Sequence, residues 1–329
     1  MWMMKVVAAS RLAATTDREN WGTRAGLCWD GDRVSLRRAM KSLLLLVDGY
    51  SLIYRAFYAI RELTGPAGQP VNAVYGFTKM LRKLLAERRP THAAVVLDCG
   101  APTRRLAVLE SYKAQRPPTP PRLEQQLPMI RAVLAALRLP VVEVAGEEAD
   151  DIIATLSCRA AGDGATVLIA SNDKDFLQIV NAQIRLLRPD GDGEPVVDAR
   201  RYGVRPEQMV DYLSLVGDAA DNIPGVPGIG AKTAADLLQR YGTVENVLAH
   251  VDELARPKLR EALRTHADRI RANRALVTLQ TDLALPVQWP ELAVQPPDTA
   301  QLLALCRQLG FKSLAAQIEA EAGDLFGGR

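Results

Sequence analysis

Leu43-Leu44-Leu45-Leu46-Val47-Asp48-Gly49 is the stretch that decides the fold. A continuous apolar run this short, with no polar alternation, suits a strand buried on both faces, as in a parallel sheet. The run stops at an aspartate, and Ser51 to Ile60 then begins a helix. The same grammar recurs at Ala93 to Leu97, followed by Asp98, and at Ala165 to Ala170, followed by Asp173 and Asp175. Val141 to Val144 adds a short strand. Val74 to Glu87 reads as a helix with Val74, Phe77, Leu81, Leu84 and Leu85 along its apolar stripe. Apolar runs alternating with helical periods are the pattern of βα units, so the chain is read as α/β, a mostly parallel twisted sheet flanked by helices.

The placement of the aspartates carries the chemistry. In an open parallel sheet the carboxyl ends of the strands line one crevice, which is where Asp48, Asp98, Asp173 and Asp175 would meet. A lone Asp after a strand is usually a helix cap or a turn residue, but four at one rim call for more than that. Glu148-Ala149-Asp150-Asp151 opens a further helix, where acidic residues also suit the dipole. Glu148 and Asp151 share a face, and Asp150 is turned about 100° from its neighbour. Asp218 and Asp221 can face one cation if their segment is a helical turn. These nine carboxylates would repel one another unless divalent metal neutralises them. With three His and four dispersed Cys (Cys28, Cys99, Cys158, Cys306), the donors are oxygens. That points to Mg²⁺ or Mn²⁺, as a pair of ions about 3.5 to 4 Å apart, and excludes a zinc knuckle or a disulfide framework.

Cations and glycines supply a phosphate-binding counterpart. Lys113 and Arg116 are three apart, share a face if helical, and can stabilise charge developing on a scissile phosphate. Tyr112 beside them can stack on a base. Arg55, seven residues after Asp48, can reach the same crevice. Gly225, Gly228 and Gly230, followed by Lys232 and Thr233, form a Gly-rich turn that delivers backbone N–H groups at a helix N-terminus. The net charge is only +3, yet from Ala101 to Arg138 seven Lys/Arg face two Asp/Glu, while from Pro140 to Asn222 sixteen acidic residues face seven basic ones. A basic stretch beside an acidic one suits an enzyme that binds a polyanion and holds cations.

The remaining organisation follows from composition. Residues 1 to 40, with Trp2, Trp21 and Trp29 among scattered charges, show no sustained period and read as a disordered extension, Met40-Lys41 being a natural start for the folded unit. Residues 41 to 205 form the α/β core, interrupted by four prolines between Arg116 and Arg122 that make a loop or mobile segment. From 206 to 321 the strands stop and helices follow, and 322 to 329 is a Gly-containing tail. Apolar runs are far shorter than the roughly 20 residues needed to cross a bilayer, so no membrane partner is expected.

Taken in order, Val47-Asp48-Gly49, Tyr54-Arg55-Ala56-Phe57-Tyr58-Ala59, Ala73-Val74-Tyr75-Gly76-Phe77, Tyr112-Lys113, Glu148-Ala149-Asp150-Asp151, Asp173-Lys174-Asp175 and Gly217-Asp218 through Gly225 resemble the 5′-3′ exonuclease domain of bacterial DNA polymerase I, within the flap endonuclease family. The resemblance spans Lys41 to Ile318. It implies a 5′-nuclease core, a helical arch about 105–122 with Arg105 and Tyr112 on DNA, and a helix-hairpin-helix region about 222–240 that holds K⁺. It also implies cleavage of 5′ flaps, nicks and 5′ ends, including RNA–DNA primers, during replication and repair, leaving a 5′-phosphate. The nine carboxylates become metal residues, and Lys113, Arg116 and Arg55 become phosphate-side electrophiles. Leu309-Gly310-Phe311-Lys312-Ser313-Leu314 resembles the motif closing that domain, so a stand-alone monomeric nuclease working beside a separate DNA polymerase in the bacterial cytoplasm, at the nucleoid, is expected. Arg104 stands where relatives commonly carry an aromatic, Asn172 where Gly is frequent, and Ala219-Ala220 where hydroxyl residues are common.

Overall fold

The structure is a computed structural model that describes residues 42–188 and 199–327. The expected extension over residues 1–40 lies outside the described residues. Five parallel strands, β1 (Leu43–Asp48), β2 (His92–Val96), β3 (Val141–Val142), β4 (Thr166–Ala170) and β5 (Ile184–Leu187), form one sheet in the order β3-β2-β1-β4-β5. β1 is central, pairing Asp48 with Val96 on one side and Val47 with Ala170 on the other. The chain builds outward from β1 to β3 and then crosses back to β4, so the strand order reverses beside β1. In doubly wound sheets that reversal opens the ligand crevice at the carboxyl ends.

Helices α1 (Gly49–Ala59), α2 (Asn72–Arg88), α3 (Thr103–Val108), α4 (Pro121–Glu124), α5 (Leu127–Ala136) and α6 (Ala149–Gly162) belong to the sheet region. The remainder contributes α7 (Met209–Val216), α8 (Ala231–Tyr241), α9 (Val244–Ala249), α10 (Pro257–Thr265), α11 (Ala267–Val277), α12 (Thr299–Gln308) and α13 (Lys312–Gly327). Side chains of β1 alternate between two cores. Leu45 and Val47 pack with apolar residues of α1, α2, α5, α12 and α13, while Leu44 and Leu46 pack with those of α6, α7, α8 and α11. Because both faces of β1 are covered, the unbroken Leu run is the sequence its position demands. Gly49 is forced by the same closeness, since a Cβ there would sit 2.4 Å from Leu97 Cδ2 and 2.9 Å from the Val96 carbonyl oxygen.

Three features depart from the sequence reading. β5 escaped notice because Ile-Arg-Leu-Leu is a four-residue edge strand with one exposed position. Strands do not stop at Arg205, as Gly217–Asp218 pairs antiparallel with Ile223–Pro224. The segment 218–222 is therefore the turn of a hairpin and not part of a longer helix, though Asp221 N–H to the Asp218 carbonyl at 3.3 Å and Asn222 N–H to the Ala219 carbonyl at 3.4 Å give it the bonding of one helical turn, ended by Asn222 at φ 58°. Finally, α13 continues to Gly327 through the expected tail.

Candidate metal and phosphate site

Asp48 ends β1 and begins α1. One of its oxygens accepts from the Ser51 N–H at 3.1 Å, capping the helix, and the other accepts from the buried Ser171 hydroxyl at 2.6 Å. Asp98, past the end of β2, caps α6 by accepting from the Ala149 N–H at 2.8 Å. Asp173 follows β4, where its N–H donates to Ser171 Oγ at 3.0 Å and its carboxylate accepts from the Asp175 N–H at 2.9 Å. Each of these hydrogen bonds fixes its carboxylate while leaving further oxygen lone pairs for a ligand. Asp48, Asp98, Asp150 and Asp173 together line a cavity of about 500 Å³ at the strand ends, which Lys113 and Arg116 also border.

A second group lies on the hairpin side. Among the described residues, Asp175, Asp218 and Asp221 are the three carboxylates that can each offer one oxygen within 4.8 Å of the other two. Lys174 Nζ donates to Asp218 at 2.6 Å and stands 3.7 Å from Asp175. Asp175 Oδ1 is buried without a hydrogen-bond partner. A buried carboxylate oxygen with no hydrogen bond, facing the Lys174 ammonium at 3.7 Å, in a group of hard oxygen donors suits a divalent cation of the Mg²⁺ kind. The electrostatics agree. Burial, opposed by the Ser171 hydrogen bond and reinforced by Asp173 and Asp98, pushes Asp48 up from 3.8 to about 6. Burial and Asp173 push Asp175 to about 8, and burial followed by Asp173 and Asp48 raises Asp150 well above the ordinary carboxylate range. Each of these groups resists ionisation in the metal-free protein, so a bound cation would stabilise the charged cluster.

Asp151 points away from the cavity, and Glu148 stands between the cavity-bordering Lys113 and the interior. They share a face of α6, as their spacing required, and that face meets Arg105, a buried residue of α3. The guanidinium donates to Glu148 and to both Asp151 oxygens, at 2.5 and 3.0 Å, while its Nε donates to the Leu276 carbonyl at 2.9 Å. Asp151 also accepts from the Gln280 N–H at 2.8 Å. Asp150, turned off that face, is the member of the triplet that lines the cavity.

The segment preceding the prolines is a turn, not a helix, with Lys113 at φ 55°. It is tied to the hairpin by Lys113 N–H to the Asp221 carbonyl at 3.1 Å and by Asn222 Nδ2 to the Ser111 carbonyl at 2.7 Å. Lys113 and Arg116 nevertheless converge. Lys113 donates to Glu148 and stands 3.9 Å from Asp221, to which Arg116 donates at 2.5 Å. Burial works against the Lys113 charge, but Asp221 and Glu148 outweigh it and hold its pKa above the ordinary value. Tyr112 is 5% exposed, and its hydroxyl donates to Asp221 at 3.0 Å and stands 3.3 Å from both Glu148 oxygens, so its ring is a wedge among these charges and offers no face to a base. Burial, then Asp221 and Glu148, keep that phenol protonated far above the ordinary range.

Of the other expected residues, Arg55 is half-buried on α1 and does not line the cavity. Gly225, Gly228 and Gly230 lead into α8, with Gly230 at its N-cap and Lys232 and Thr233 in its first turn. Ser171, Lys174 and Tyr54 belong to the site region but were not singled out from sequence. Ser171 was detectable as the first residue past β4, and Tyr54 as a cavity-facing position one turn after Tyr50 on α1.

A parallel sheet that collects oxygen donors and cationic side chains at its switch point is the layout of a metal-dependent phosphodiester hydrolase. Residues 43–209 match the 5′-3′ exonuclease N-terminal, resolvase-like domain, and residues 204–300 match the 5′-3′ exonuclease C-terminal SAM fold. The chain is 38% identical to the 5′-3′ exonuclease of Aquifex aeolicus over 284 residues, covering 85% of this chain and 96% of that protein. It is 42% identical to DNA polymerase I of Bacillus caldotenax over 291 residues, covering 87% of this chain but 33% of the polymerase, so it spans about a third of the length of that relative. The solved complex of the bacteriophage T5 flap endonuclease with DNA and metal ions shares the fold, with TM-score 0.61 and 20% identity over 84% of this chain and 98% of the T5 chain. The chain belongs to the 5′-3′ exonuclease family.

Proposed function

We propose that the protein is a structure-specific 5′-nuclease, a 5′-3′ exonuclease and flap endonuclease that cleaves DNA phosphodiesters and leaves 5′-phosphates. The observation that carries this reading is the gathering of Asp48, Asp98, Asp150 and Asp173 around one cavity, with Asp175, Asp218 and Asp221 grouped on the adjoining hairpin side. Glu148 joins the two through Lys113, whereas Asp151 supports the wall from behind through Arg105. Mg²⁺ is the ion the oxygen donors favour, and when bound, a pair of such ions supplies Lewis acidity and a template for in-line displacement at phosphorus.

The chain's own groups set up the rest. Lys113 and Arg116 are held by Glu148 and Asp221, at the edge of the cavity, so an entering phosphate meets cations that are already oriented and competes for them with carboxylates. Arg55 serves as an auxiliary cation on the side of α1. The arch about 105–122 encloses a displaced 5′ strand, and the helix-hairpin-helix region about 222–240 holds duplex backbone, with K⁺ at the Gly225 to Thr233 turn. The core is assigned to 41–205 and the DNA-binding helices to 206–321. Substrates are 5′ flaps, nicks and 5′ ends, including RNA–DNA primers, with a separate polymerase as partner and a monomer acting at the bacterial nucleoid. Among the described residues no helix is long and apolar enough to cross a membrane.

The test is cleavage of labelled 5′-flap, nicked and blunt DNA with and without Mg²⁺. Mg²⁺-dependent release of 5′-phosphorylated products from flaps is expected, with activity abolished in Asp173→Ala while flap binding persists. Binding without any cleavage would make the chain a junction-binding module instead.

A further inference from the structure

A second cavity, of about 570 Å³, lies at the opposite end of the sheet. Its wall residues Pro90 and Leu139 each precede a strand, β2 and β3, whereas the carboxylates follow strands. The floor is aliphatic: Leu85, Leu137, Leu139, Val294 and Leu314 converge from α2, the connection after α5, the stretch before α12, and α13. Val294 is one of three large apolar side chains that stand exposed among the described residues. The rim carries Lys79, Arg82, Lys83 and Arg89, with Glu321 in its wall and Glu87 beside Lys83. Arg82 is paired to Glu321 at 2.7 Å and Lys83 lies 3.8 Å from Glu87, but Lys79 and Arg89 have no ion pair among the described residues. Arg89 also closes α2 in the left-handed region, at φ 45°, a position at which glycine is the unstrained choice. The chain therefore carries a cation at this rim despite a backbone cost.

We infer that this groove is a docking site for an acidic peptide segment of a partner protein, one carrying aliphatic or aromatic anchors between Asp and Glu residues. An apolar floor accepts anchor side chains at helical or alternating spacing, and a cationic rim selects acidic flanks and rejects basic ones. Nucleic acid would engage the cationic rim alone, because the floor offers aliphatic carbon and no aromatic ring on which a base could stack. Its place at the amino ends of the strands leaves the carboxylate cavity open, so the partner and a DNA substrate can be bound together. The inference is independent of the nuclease reading.

The experiment uses the full chain and a fluorescein-labelled twelve-residue peptide alternating Asp or Glu with Leu and Phe, compared with the same peptide carrying Lys in place of each acid. Saturable anisotropy change is expected for the acidic peptide only, with affinity falling about tenfold in Lys79→Glu and in Arg89→Gly. The glycine variant relieves the backbone and is expected to fold at least as well. Methyl resonances of Val294 and Leu314 should shift on binding, and Mg²⁺-dependent DNA cleavage should be unchanged in both variants. Absence of saturable binding, equal binding of the basic peptide, indifference to both substitutions, or methyl shifts confined to another surface would each overturn the assignment, as would displacement of the peptide by single-stranded DNA from the groove methyls.

Discussion

Replacing Arg105 by Met removes the charge while keeping much of the volume, and the outcome separates two readings of this residue. As a DNA contact, Arg105 would matter only when DNA is present. The structure instead places it 8% exposed, between Glu148 and Asp151, with its Nε on the Leu276 carbonyl. Both carboxylates are buried too, and among the described residues Asp151 would keep in the variant only the Gln280 N–H as hydrogen-bond donor, while Glu148 would retain Lys113 and Tyr112. Breaking a buried pair by deleting one partner costs about 3–5 kcal/mol, because the remaining charge stays in the interior. At roughly 2 °C per kcal/mol for a chain of this size, the unfolding midpoint should fall by about 6–10 °C. Arg105→Lys, which keeps a charge but loses the two-pronged geometry, should fall between the two. The assay is thermal and urea unfolding without metal or DNA, alongside a salt titration of flap-DNA affinity. An unchanged midpoint together with a salt slope reduced by about one would refute the reasoning, since that is the behaviour of a phosphate contact.

Three further outcomes follow from the same geometry. Asp48 is raised from 3.8 to about 6, so its ionisation opposes folding: the penalty is absent below pH 3.8, grows between the two values, and is complete above about pH 6. Asp48→Asn should therefore raise metal-free stability at pH 8 by up to about 3 kcal/mol, a gain that shrinks as pH falls below 6, while abolishing Mg²⁺-dependent cleavage; denaturation at both pH values checks it. A Cβ on Gly225 would lie 2.1 Å from the Val216 carbonyl oxygen, whereas Gly228, at φ 80°, has nothing within 4 Å of that position. Gly225→Ala should cost about 3 kcal/mol or more and Gly228→Ala about 1 kcal/mol, as read by urea unfolding. Lys174→Met removes the ammonium that donates to Asp218, so the metal-free midpoint should fall and the gain on adding Mg²⁺ should grow, as measured by thermal shift; an unchanged Mg²⁺ increment would argue against a cation position shared by lysine and metal.

Much of the site was legible because local rules write it directly. An apolar run ending in Asp predicts a buried strand with a carboxylate at its carboxyl end, and Asp48, Asp98 and Asp173 lie where that rule puts them, round one cavity. The helical period likewise separated Asp150 from Glu148 and Asp151 before any partner was known. Order along the chain, together with these motifs, was enough for the parallel sheet and for family membership. Tertiary structure decided which charges meet. Nothing local says that Arg105, on α3, reaches across to α6, or that the Tyr112 ring is buried between Glu148 and Asp221, because both depend on contacts between residues far apart in sequence. The hairpin at Gly217 to Pro224 was hidden for the same reason, since a two-residue ladder has no periodicity to detect. Spacing along one element is governed by the geometry of that element alone; which element each face meets is governed by packing, and packing turned one acidic triplet into a cavity-lining group and a buried ion-pair clamp.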